Sequence, residues 1–457
     1  MSDVLDKGTT RDRPAASAWK RDRRQLYGGY FKRDVPSEDA ELTHVGPGTA
    51  CGEFMRRFWQ PVLLSEELND FAVALRILGE DLVAFRDRGG RVGVLHKHCS
   101  HRAASLEFGI IEGQGLRCCY HGWLYGVDGE ILDTPGEPSD SPIKDTLSHG
   151  AYPVVEKNGL VFAYLGPPDD QPVFPVKDTD DTPDNLIKAF STFIPANWLQ
   201  QHENNMDPAH SVFLHTRAAG PQFTPVFGEM PVLEFQETNN GNSMIYIASR
   251  RVDDHVWVRT FQTLLPNHSM APSFWAHDED EVFFRRVCMD RWSVPHDDES
   301  HTVFAWRHFN DRVDPHGAGD PEKVDSIIGQ TGDRTYAERQ CEPGDWDVWV
   351  SQRPIAVHAK ENLGTTDGGV AMFRRILRSA LRAETSPMTR LGDAAHPLNT
   401  YSQDTILRIP RHGSEAEDRE MMRLLGRKVV DVLFEGDAYS GDTREAFIHD
   451  RLATLKQ

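Results

Sequence analysis

Two pairs of potential metal ligands lie in one short stretch of the chain, CSHRAASLEFGIIEGQGLRCCYHGW, which spans residues 99–123. The first pair is Cys99-x-His101 and the second is Cys118-x-x-His121, with 16 residues between the pairs. Thiolates and imidazoles bind zinc or the irons of an iron–sulfur cluster. The stretch therefore predicts a metal centre whose ligands come from two neighbouring loops.

The arrangement of the pairs favours iron over zinc. Zinc fingers group like residues, as C-x2–4-C and H-x3–5-H, whereas each pair here supplies one cysteine and one histidine. In a Rieske [2Fe–2S] cluster, two thiolates hold one iron and two imidazoles hold the other. Ligation by Cys119 would leave only one residue before His121, so Cys118 is the better candidate. We predict a Rieske [2Fe–2S] cluster with the ligands Cys99, His101, Cys118 and His121, and a structural zinc site is the alternative.

A second group of polar residues could bind iron by itself. The segment ENNMDPAHSVFLH supplies Asn204, Asp207, His210 and His215. A regular helix places side chains five positions apart at about 140° to each other, so one metal can bind both histidines only where the helix bulges or ends between them. Two histidines and one carboxylate form the usual mononuclear iron(II) site for oxygen chemistry. The alternative is a pair of unrelated histidines.

The carboxylate ligand has three candidates farther along the chain. The segment EPGDWDVWVSQRP contains Asp345 and Asp347 near the start of a predicted helix, and Glu342 precedes both. On that helix Asp345 would share a face with Trp349 and Gln352. Asp347 would point about 160–200° away from Asp345. Because acidic residues also favour helix N-termini without any metal, the helix alone leaves the choice open.

The composition is that of a water-soluble globular protein. Of 457 residues, 39% are hydrophobic and 26% are charged, and the net charge is −20. This charge disfavours nucleic acid and anionic membranes as partners, and no apolar run reaches the ~20 residues that cross a bilayer. Six cysteines are too few for a disulfide scaffold. Since the first residues have no apolar core typical of a signal peptide, the sequence predicts a reduced, cytoplasmic protein.

The sequence pattern predicts three regions. Residues 1–45 are polar and aperiodic and are expected to form an N-terminal extension. Residues 46–168 show short alternating strands with turn signals, which predict an all-β domain around the Cys/His stretch. Residues 169–457 mix strands with helices and predict an α+β domain with helices packed on an antiparallel sheet. Local patterns within this region predict a hairpin around Asn239-Asn240-Gly241 and helices over 344–363 and 417–436.

Together these motifs resemble those of the catalytic (alpha) subunit of Rieske non-heme iron aromatic-ring-hydroxylating oxygenases. CSH…CCYHGW is similar to the family's cluster signature, and ENNMDPAHSVFLH is similar to its iron signature. DWDVWVSQ resembles its carboxylate signature, in which an Asp precedes a Gln by seven positions, and that spacing selects Asp345 with Gln352. FMRRFWQPV and ENLGTTDGGVAMFRRIL resemble the phthalate 4,5-dioxygenase branch.

The resemblance implies an all-β Rieske domain followed by a helix-grip catalytic domain, in a ring of three subunits or a pair of such rings. In the ring, the cluster of one chain would face the mononuclear iron of the next. Asp207 would bond His210 in its own chain and His121 in the neighbouring chain, because a carboxylate accepts hydrogen bonds from both imidazoles. Asn204 would lie near the iron.

The resemblance also implies the reaction. Electrons from a separate NADH-dependent flavin and [2Fe–2S] reductase, directly or through a ferredoxin, would enter at the Rieske cluster and reach mononuclear Fe(II). O2 would react there with an aromatic, carboxylated, phthalate-like substrate to give a dihydrodiol or a phenol. O-demethylation of a methoxylated aromatic acid at the same iron is an alternative. Another is a Rieske electron-transfer protein without catalysis, which would hold two irons per chain instead of three.

Basic residues are candidates for binding the substrate and the electron donor. A carboxylated substrate needs cationic partners, and the candidates near the iron motif or on predicted strands are Arg217, Arg250, Arg251 and Arg259. Side chains alternate along a strand, so at most one of Arg250 and Arg251 would face the substrate. Each arginine could instead be a surface residue. Near the cluster, the candidates for docking the electron donor are Lys97, Arg102 and Arg117.

Overall fold

The structure is a computed structural model that describes residues 38–180, 185–238, 242–277, 281–309, 331–383 and 392–456. Most of the predicted N-terminal extension, residues 1–37, lies outside the described residues, as does the predicted turn 239–241. The end of the predicted extension contains helix α1 (Ala40–Thr43), in which Leu42 is buried. The limits of the three predicted regions stay predictions.

The residues within and on either side of the Cys/His stretch form three small antiparallel sheets, with the strand orders β1-β11-β10, β2-β3-β4-β9 and β5-β6-β7-β8. Their strands are β1 (Gln60–Leu64), β2 (Val73–Ile77), β3 (Glu80–Arg86), β4 (Val92–His96), β5 (Ile110–Ile111), β6 (Leu116–Arg117), β7 (Leu124–Tyr125), β8 (Ile131–Asp133), β9 (Ala151–Tyr152), β10 (Val154–Lys157) and β11 (Leu160–Ala163). Helices α2 (Ala50–Met55) and α3 (Ile143–Thr146) accompany them. The first ligand pair follows β4, and the second lies between the paired strands β6 and β7. The predicted short strands are therefore present and hold both loops.

A larger antiparallel sheet occupies the rest of the chain, in the order β12-β19-β18-β16-β15-β14-β13, with β20 paired to β15 and β17. Its strands are β12 (Leu186–Ile194), β13 (Val232–Glu237), β14 (Ser243–Val252), β15 (His255–Leu264), β16 (His268–Pro272), β17 (Val282–Arg285), β18 (Val287–Asp297), β19 (Ser300–Phe309) and β20 (Gln403–Arg408). β13 and β14 pair antiparallel, which confirms the predicted hairpin on either side of its turn.

Helices cover both faces of this sheet. Along β14, Met244 and Tyr246 share a core with helix α8 (Gly368–Leu381), whereas the alternate residues Ile245 and Ile247 pack with helix α9 (Glu415–Glu435). Helix α9 confirms the helix predicted over 417–436, and α10 (Gly441–Ala453) follows it. Because a strand presents alternate side chains to opposite faces, this sheet is buried on both sides. The α+β prediction is confirmed.

Short helices carry or adjoin the second group of ligands. They are α4 (Trp198–Asn204), α5 (His210–Val212), a π-helical turn (Phe213–Arg217), α6 (Tyr336–Cys341) and α7 (Asp345–Ser351). The helix predicted over 344–363 is too long, because α7 ends at Ser351. Arg353 has a left-handed φ of 83°, and Pro354 follows it, a combination that stops a helix. Among the described helices, none combines the length and the apolarity needed to cross a bilayer.

Candidate metal centres and active site

Backbone hydrogen bonds close the two loops that carry the cluster candidates. In the first loop, Cys99 N–H donates to the Ala104 carbonyl (2.9 Å) and Ala103 N–H donates to the Cys99 carbonyl (2.8 Å). In the second, Cys118 N–H donates to the Trp123 carbonyl (2.8 Å). Gly122 has a φ of 77°, a left-handed conformation that glycine adopts without steric cost. Backbone hydrogen bonds therefore close both loops at their ends.

The four side chains divide into a buried thiol pair and a more exposed imidazole pair. Cys99 and Cys118 are 4% and 2% exposed within one hydrophobic cluster, whereas Cys119 is exposed. The rings of His101 and His121 lie 4.5 Å apart, and Trp123 stacks on His101. The Nδ1 atom of His101 is buried and has no hydrogen-bond partner among the described residues. This donor set fits a [2Fe–2S] cluster held by two thiolates and two imidazoles.

Hydrogen-bond donors surround the two sulfur atoms. The Tyr125 hydroxyl lies 3.0 Å from Cys99 Sγ. Burial raises the pKa of the Cys118 thiol, while the backbone N–H groups of Tyr120 and His121 act in the opposite direction. Donors aimed at ligand sulfur stabilise its negative charge and tune the cluster. Sequence reasoning missed Tyr125, since a tyrosine two positions after Trp123 carries no signal of this contact.

The iron candidates converge on one point. The Nε2 atoms of His210 and His215 are 3.1 Å apart, and Asp345 Oδ1 lies 3.6 Å from the first and 3.2 Å from the second. One ligand atom from each residue lies within 4.8 Å of the others. The π-helical turn that begins at Phe213 is the bulge that the five-residue spacing requires. Two imidazoles and one carboxylate in this arrangement fit mononuclear Fe(II), which when bound would supply open positions for O2 chemistry.

Electrostatics couple the buried carboxylate to the histidines. Burial alone would raise the pKa of the Asp345 carboxyl, but the neighbouring His215 and His210 hold it below its ordinary value. Burial would likewise lower the pKa of His215, and the nearby Asp345 carboxylate raises it instead. The two groups thus favour each other's charged form in the absence of metal.

The other two acidic candidates lie elsewhere. Asp347 accepts hydrogen bonds from Arg334 Nη2 (2.6 Å) and from the backbone N–H of Gly344 (2.9 Å), which places it at the helix N-terminus. Glu342 is exposed. Gln352, which the helix pattern placed on one face with Asp345 and Trp349, follows the last residue of α7 and is exposed, whereas Asp345 and Trp349 are buried.

The contact between Asp207 and His210 differs from the expected one. His210 Nδ1–H donates to the backbone carbonyl of Asp207, whereas the nearer carboxylate oxygen of Asp207 is 3.8 Å from that nitrogen. The carboxylate accepts instead from the Ala209 N–H (3.1 Å). The carbonyl fixes the tautomer of His210 with Nε2 free for a metal. The Asp207 carboxylate is left partly exposed, with 28% of the side chain accessible.

The predicted Asn204 ends helix α4 and is half-buried. The next residue, Asn205, is buried and accepts a hydrogen bond from Arg291 Nη2 (2.8 Å). Burial lowers the pKa of Arg291, and the nearby Asp345 carboxylate opposes this effect. Sequence reasoning missed Asn205 and Arg291, because Arg291 comes from strand β18 and no local pattern links it to the iron motif.

The four candidate arginines separate into two groups. Arg251 donates to Asp418 of helix α9 (Nε to Oδ2, 3.0 Å), on the sheet face opposite to Arg250, as the strand period predicts. Arg217 is exposed and packs over Phe213. Arg250 and Arg259 are 1% and 3% exposed. The structure therefore brings only this last pair to the sheet face that faces the iron candidates.

Polar partners hold both buried arginines. Arg259 Nη1 lies 3.2 Å from both carboxylate oxygens of Asp404. Arg250 donates to neutral oxygens, the Ser211 hydroxyl (3.1 Å) and the carbonyls of Pro208 (3.3 Å) and Glu229 (3.1 Å). Burial lowers the pKa of Arg250 to about 10, so its guanidinium remains charged near neutral pH.

A row of aromatic rings connects the iron candidates to these arginines. Phe223 contacts His215 edge-on (4.8 Å between ring centres) and stacks on Phe274 (5.1 Å). Phe274 meets Phe227 at 5.7 Å. The guanidinium carbons of Arg250 and Arg259 lie 5.2 and 5.7 Å from the Phe227 ring centre. We call the rings of Phe223, Phe274 and Phe227 the aromatic wall. The site thus combines the three candidate iron ligands, this aromatic wall and buried positive charge.

The basic residues near the cluster are mostly engaged. Arg117 bonds Glu112 (2.5 Å) and Asp133 (2.8 Å), and Lys97 lies 3.7 Å from Asp81. Arg102 is exposed, and its guanidinium carbon lies 5.7 Å from the centre of the exposed Tyr120 ring. Of the three docking candidates, Arg102 is the one that the structure leaves most accessible.

Comparisons with known proteins identify the family of this chain. Residues 58–153 match the Rieske [2Fe-2S] domain family. The chain is 45% identical over 454 residues to the tert-butanol monooxygenase / tert-amyl alcohol desaturase oxygenase subunit of Aquincola tertiaricarbonis, across 94% of this chain and 96% of that protein. It is 30% identical to the phthalate 4,5-dioxygenase oxygenase subunit of Pseudomonas putida, across 78% of this chain and 88% of that protein.

A solved structure supports the fold. The crystal structure of dicamba monooxygenase bound to dicamba superposes with a TM-score of 0.54 at 20% identity, across 71% of this chain and 96% of that chain. The chain belongs to the Rieske non-heme iron oxygenases, as an oxygenase (alpha) subunit. Its cofactors are a Rieske [2Fe–2S] cluster and mononuclear iron, and O2 is its co-substrate.

Proposed function

We propose that this chain is the terminal component of a multicomponent oxygenase, with electrons supplied by a separate NADH-dependent flavin and [2Fe–2S] reductase, directly or through a ferredoxin. The cluster ligands in this proposal are Cys99, His101, Cys118 and His121, and the iron ligands are His210, His215 and Asp345. The convergence of the three iron ligands supports the proposal most strongly, because an electron carrier needs no second metal. A cytoplasmic location is part of the same proposal, since the proposed reductase draws its electrons from NADH.

The proposed substrate is an aromatic carboxylate, which the enzyme hydroxylates or dihydroxylates. Two features support this choice: the aromatic wall that begins at Phe223 beside His215, and the buried charge of Arg250, whose partners are neutral oxygens. An aromatic ring packs favourably against such a wall, and a carboxylate forms charge-assisted hydrogen bonds to a guanidinium. Demethylation of a methoxylated aromatic acid would use the same groups.

A second candidate is the oxidation of a small tertiary alcohol. The relative from Aquincola tertiaricarbonis, named for tert-butanol and tert-amyl alcohol, is 45% identical over nearly the whole chain. The polar partners of the arginines favour this alternative as well, since Arg259 is already neutralised by Asp404. A small alcohol would need only space beside the iron and one hydrogen-bonding group.

A product screen distinguishes these candidates. The purified chain, a generic reductase, NADH and O2 would be incubated separately with phthalate, a methoxybenzoate and tert-butanol, and oxygenated products would be identified by mass spectrometry. Products from phthalate or from the methoxybenzoate support the aromatic carboxylate class. Products from tert-butanol alone would contradict it, and no product with any substrate, from a protein holding only two irons per chain, would support an electron carrier.

A variant tests the substrate role of the buried charge. Arg250→Met should raise the KM for an aromatic carboxylate by about tenfold or more, because a charge-assisted hydrogen bond is lost. The same variant should leave the KM for tert-butanol unchanged. Cluster absorbance and total iron serve as folding controls, since Arg250 also bonds Ser211 and Pro208 beside His210.

The proposed assembly is a ring of three chains, or two such rings, in which electrons pass between chains. The partly exposed Asp207 carboxylate, three residues before His210, supports this arrangement. Because His210 already donates to the Asp207 carbonyl, the carboxylate remains able to accept a hydrogen bond from His121 of a neighbouring chain. Asn204 would lie near the iron without ligating it.

A further inference from the structure

Gln222 contacts both segments that carry the iron candidates. Its Oε1 atom lies 2.9 Å from His215 Nδ1. Its Nε2 atom donates to the backbone carbonyl of Pro343 (2.9 Å), two residues before Asp345. Its backbone N–H donates to the His215 carbonyl (2.9 Å). One glutamine thus joins the π-helical turn to the start of helix α7.

The first contact decides which nitrogen of His215 can bind metal. An amide oxygen accepts hydrogen bonds and cannot donate them, so His215 must carry its proton on Nδ1. The lone pair is then on Nε2, the atom 3.2 Å from Asp345 Oδ1. An acceptor on the far nitrogen also fixes the plane of the ring and makes the ligating nitrogen more basic.

The second contact sets the separation of two ligands. The Gln222 side chain spans from the His215 ring to the Pro343 carbonyl, so a movement of either segment stretches one of its two hydrogen bonds. Given the proposed iron site, we infer that Gln222 is a positioning residue that holds His215 and Asp345 at the spacing Fe(II) needs. It acts through these ligands and does not touch the metal.

Metal binding tests this inference without a substrate. Fe(II) would be removed from the mononuclear site with a chelator and titrated back anaerobically into wild type and into Gln222→Leu, which has a similar volume and neither hydrogen bond. Loss of an outer-shell partner costs about 10- to 100-fold in metal affinity, and that weakening is the expected result. The EPR signal of the nitric-oxide adduct of the bound Fe(II) should broaden or shift in the variant.

Two further variants separate positioning from general stability. Gln222→Glu keeps an acceptor for His215 Nδ1–H, so its Fe(II) affinity should exceed that of Gln222→Leu. Gln200 is the matched control: this buried glutamine bonds the other end of α7, at the Trp349 (2.8 Å) and Arg353 (3.0 Å) carbonyls, and touches no ligand. Gln200→Leu should keep an Fe(II) affinity near wild type.

The outcomes are distinct. Wild-type affinity in Gln222→Leu, or an equal loss in Gln200→Leu, would overturn the positioning role. If wild type itself binds no iron beyond the two of the cluster, the proposed iron site fails, whatever Gln222 does. Circular dichroism and thermal unfolding report whether the segments around Gln222 are folded in each variant, and cluster absorbance reports separately on the Cys/His loops.

Discussion

The two metal centres of this chain are built in different ways. The four proposed cluster ligands lie within residues 99–121, on loops closed by backbone hydrogen bonds such as that from Cys118 N–H to the Trp123 carbonyl. His210 and His215 share one segment, but Asp345 follows about 130 positions later. It reaches the histidines only because the large sheet and its helices bring the two segments together. One centre is local in sequence and the other depends on the whole fold.

This difference has a physical consequence. A local loop loses little chain entropy when its ends meet, whereas joining distant segments costs more and must be offset by packing elsewhere. Changes in the core between the segments should therefore release the mononuclear iron before they disturb the cluster. The experiments below test the independence of the two centres, from the largest expected effect to the smallest.

The largest effect is expected at the cluster. Cys118→Ser should abolish the cluster and all turnover, because Cys118 is a buried thiol in the same hydrophobic cluster as Cys99. Cys119→Ser should keep both, since Cys119 is exposed. Visible absorbance, iron content and the EPR signal of the reduced protein measure the outcome. Colour lost in Cys119→Ser and kept in Cys118→Ser would reverse the ligand assignment.

The next effect is confined to the mononuclear site. Asp345→Ala should keep the cluster and lose the third iron together with turnover, because it removes the only carboxylate in the group with His210 and His215 among the described residues. Iron content and cluster absorbance, measured on one sample, check both halves of this statement.

Asp347→Ala is the control on the same helix. Its carboxylate bonds Arg334 and caps the helix, so the variant should lose about 1 kcal/mol of stability and retain its iron. If Asp347→Ala loses iron and Asp345→Ala does not, the assigned ligand is wrong.

The contrast between the two centres also explains what the sequence could predict. Four ligand residues of two types at short spacing were enough to predict the cluster, and the burial of Cys118 against the exposure of Cys119 agrees with the spacing argument. The five-residue separation of His210 and His215 was weaker evidence, but it required a bulge, and the π-helical turn at Phe213 provides one. The choice of Asp345 needed helix geometry and family resemblance together.

Contacts between distant segments had no signal in the sequence. Gln222 bonds Pro343, which is 121 positions away, and Arg291 bonds Asn205 across 86 positions. Neither pair forms a motif, because the partners meet only through the packing of the sheet and helices. The overlong helix prediction over 344–363 has a local cause: the apolar pattern continues past Pro354, but the backbone cannot.

Mixed assemblies test whether the two centres work across chains. Cys99→Ser lacks a cluster and Asp345→Ala lacks the iron, so each should be inactive alone. In a head-to-tail ring of both variants, roughly a quarter of the interfaces would join an intact cluster to an intact iron site. The reason is that about half of the chains carry an intact cluster and about half carry an intact iron site. Activity should reappear up to about that fraction of wild type.

A third variant identifies the bridge. Adding Asp207→Ala to the Cys99→Ser chain, which keeps the intact iron site, should suppress the recovered activity. Cluster loss can unfold a metal domain, so mixed rings must first be verified by co-purification of two tags. Verified mixed rings without activity would count against transfer between chains and against the bridging role of Asp207.

The smallest effect concerns strand β3, which pairs with β4, the strand that precedes the first cluster loop. Glu80, at the start of β3, contacts Arg56, Tyr152 and His96. Burial alone would raise the pKa of Glu80, but these contacts lower it to about 2. A carboxyl with a lowered pKa stabilises the fold above its unfolded-state pKa of 4.5, and this contribution is lost as the pH falls from 4.5 towards 2. Glu80→Gln should therefore cost about 2–3 kcal/mol at pH 7.

Urea unfolding followed by cluster absorbance measures this cost. The gap between wild type and Glu80→Gln should stay constant from pH 8 to about pH 5.5 and shrink only below about pH 4.5. Glu53 is the matched control, because it lies 3.7 Å from the same Arg56 with 57% of its side chain exposed, and Glu53→Gln should cost less than about 1 kcal/mol. Equal effects of the two variants would show that burial does not strengthen the Glu80 contact. If Glu80→Gln also released the mononuclear iron at low urea, the two centres would share one unfolding unit, and the independence inferred from their construction would be wrong.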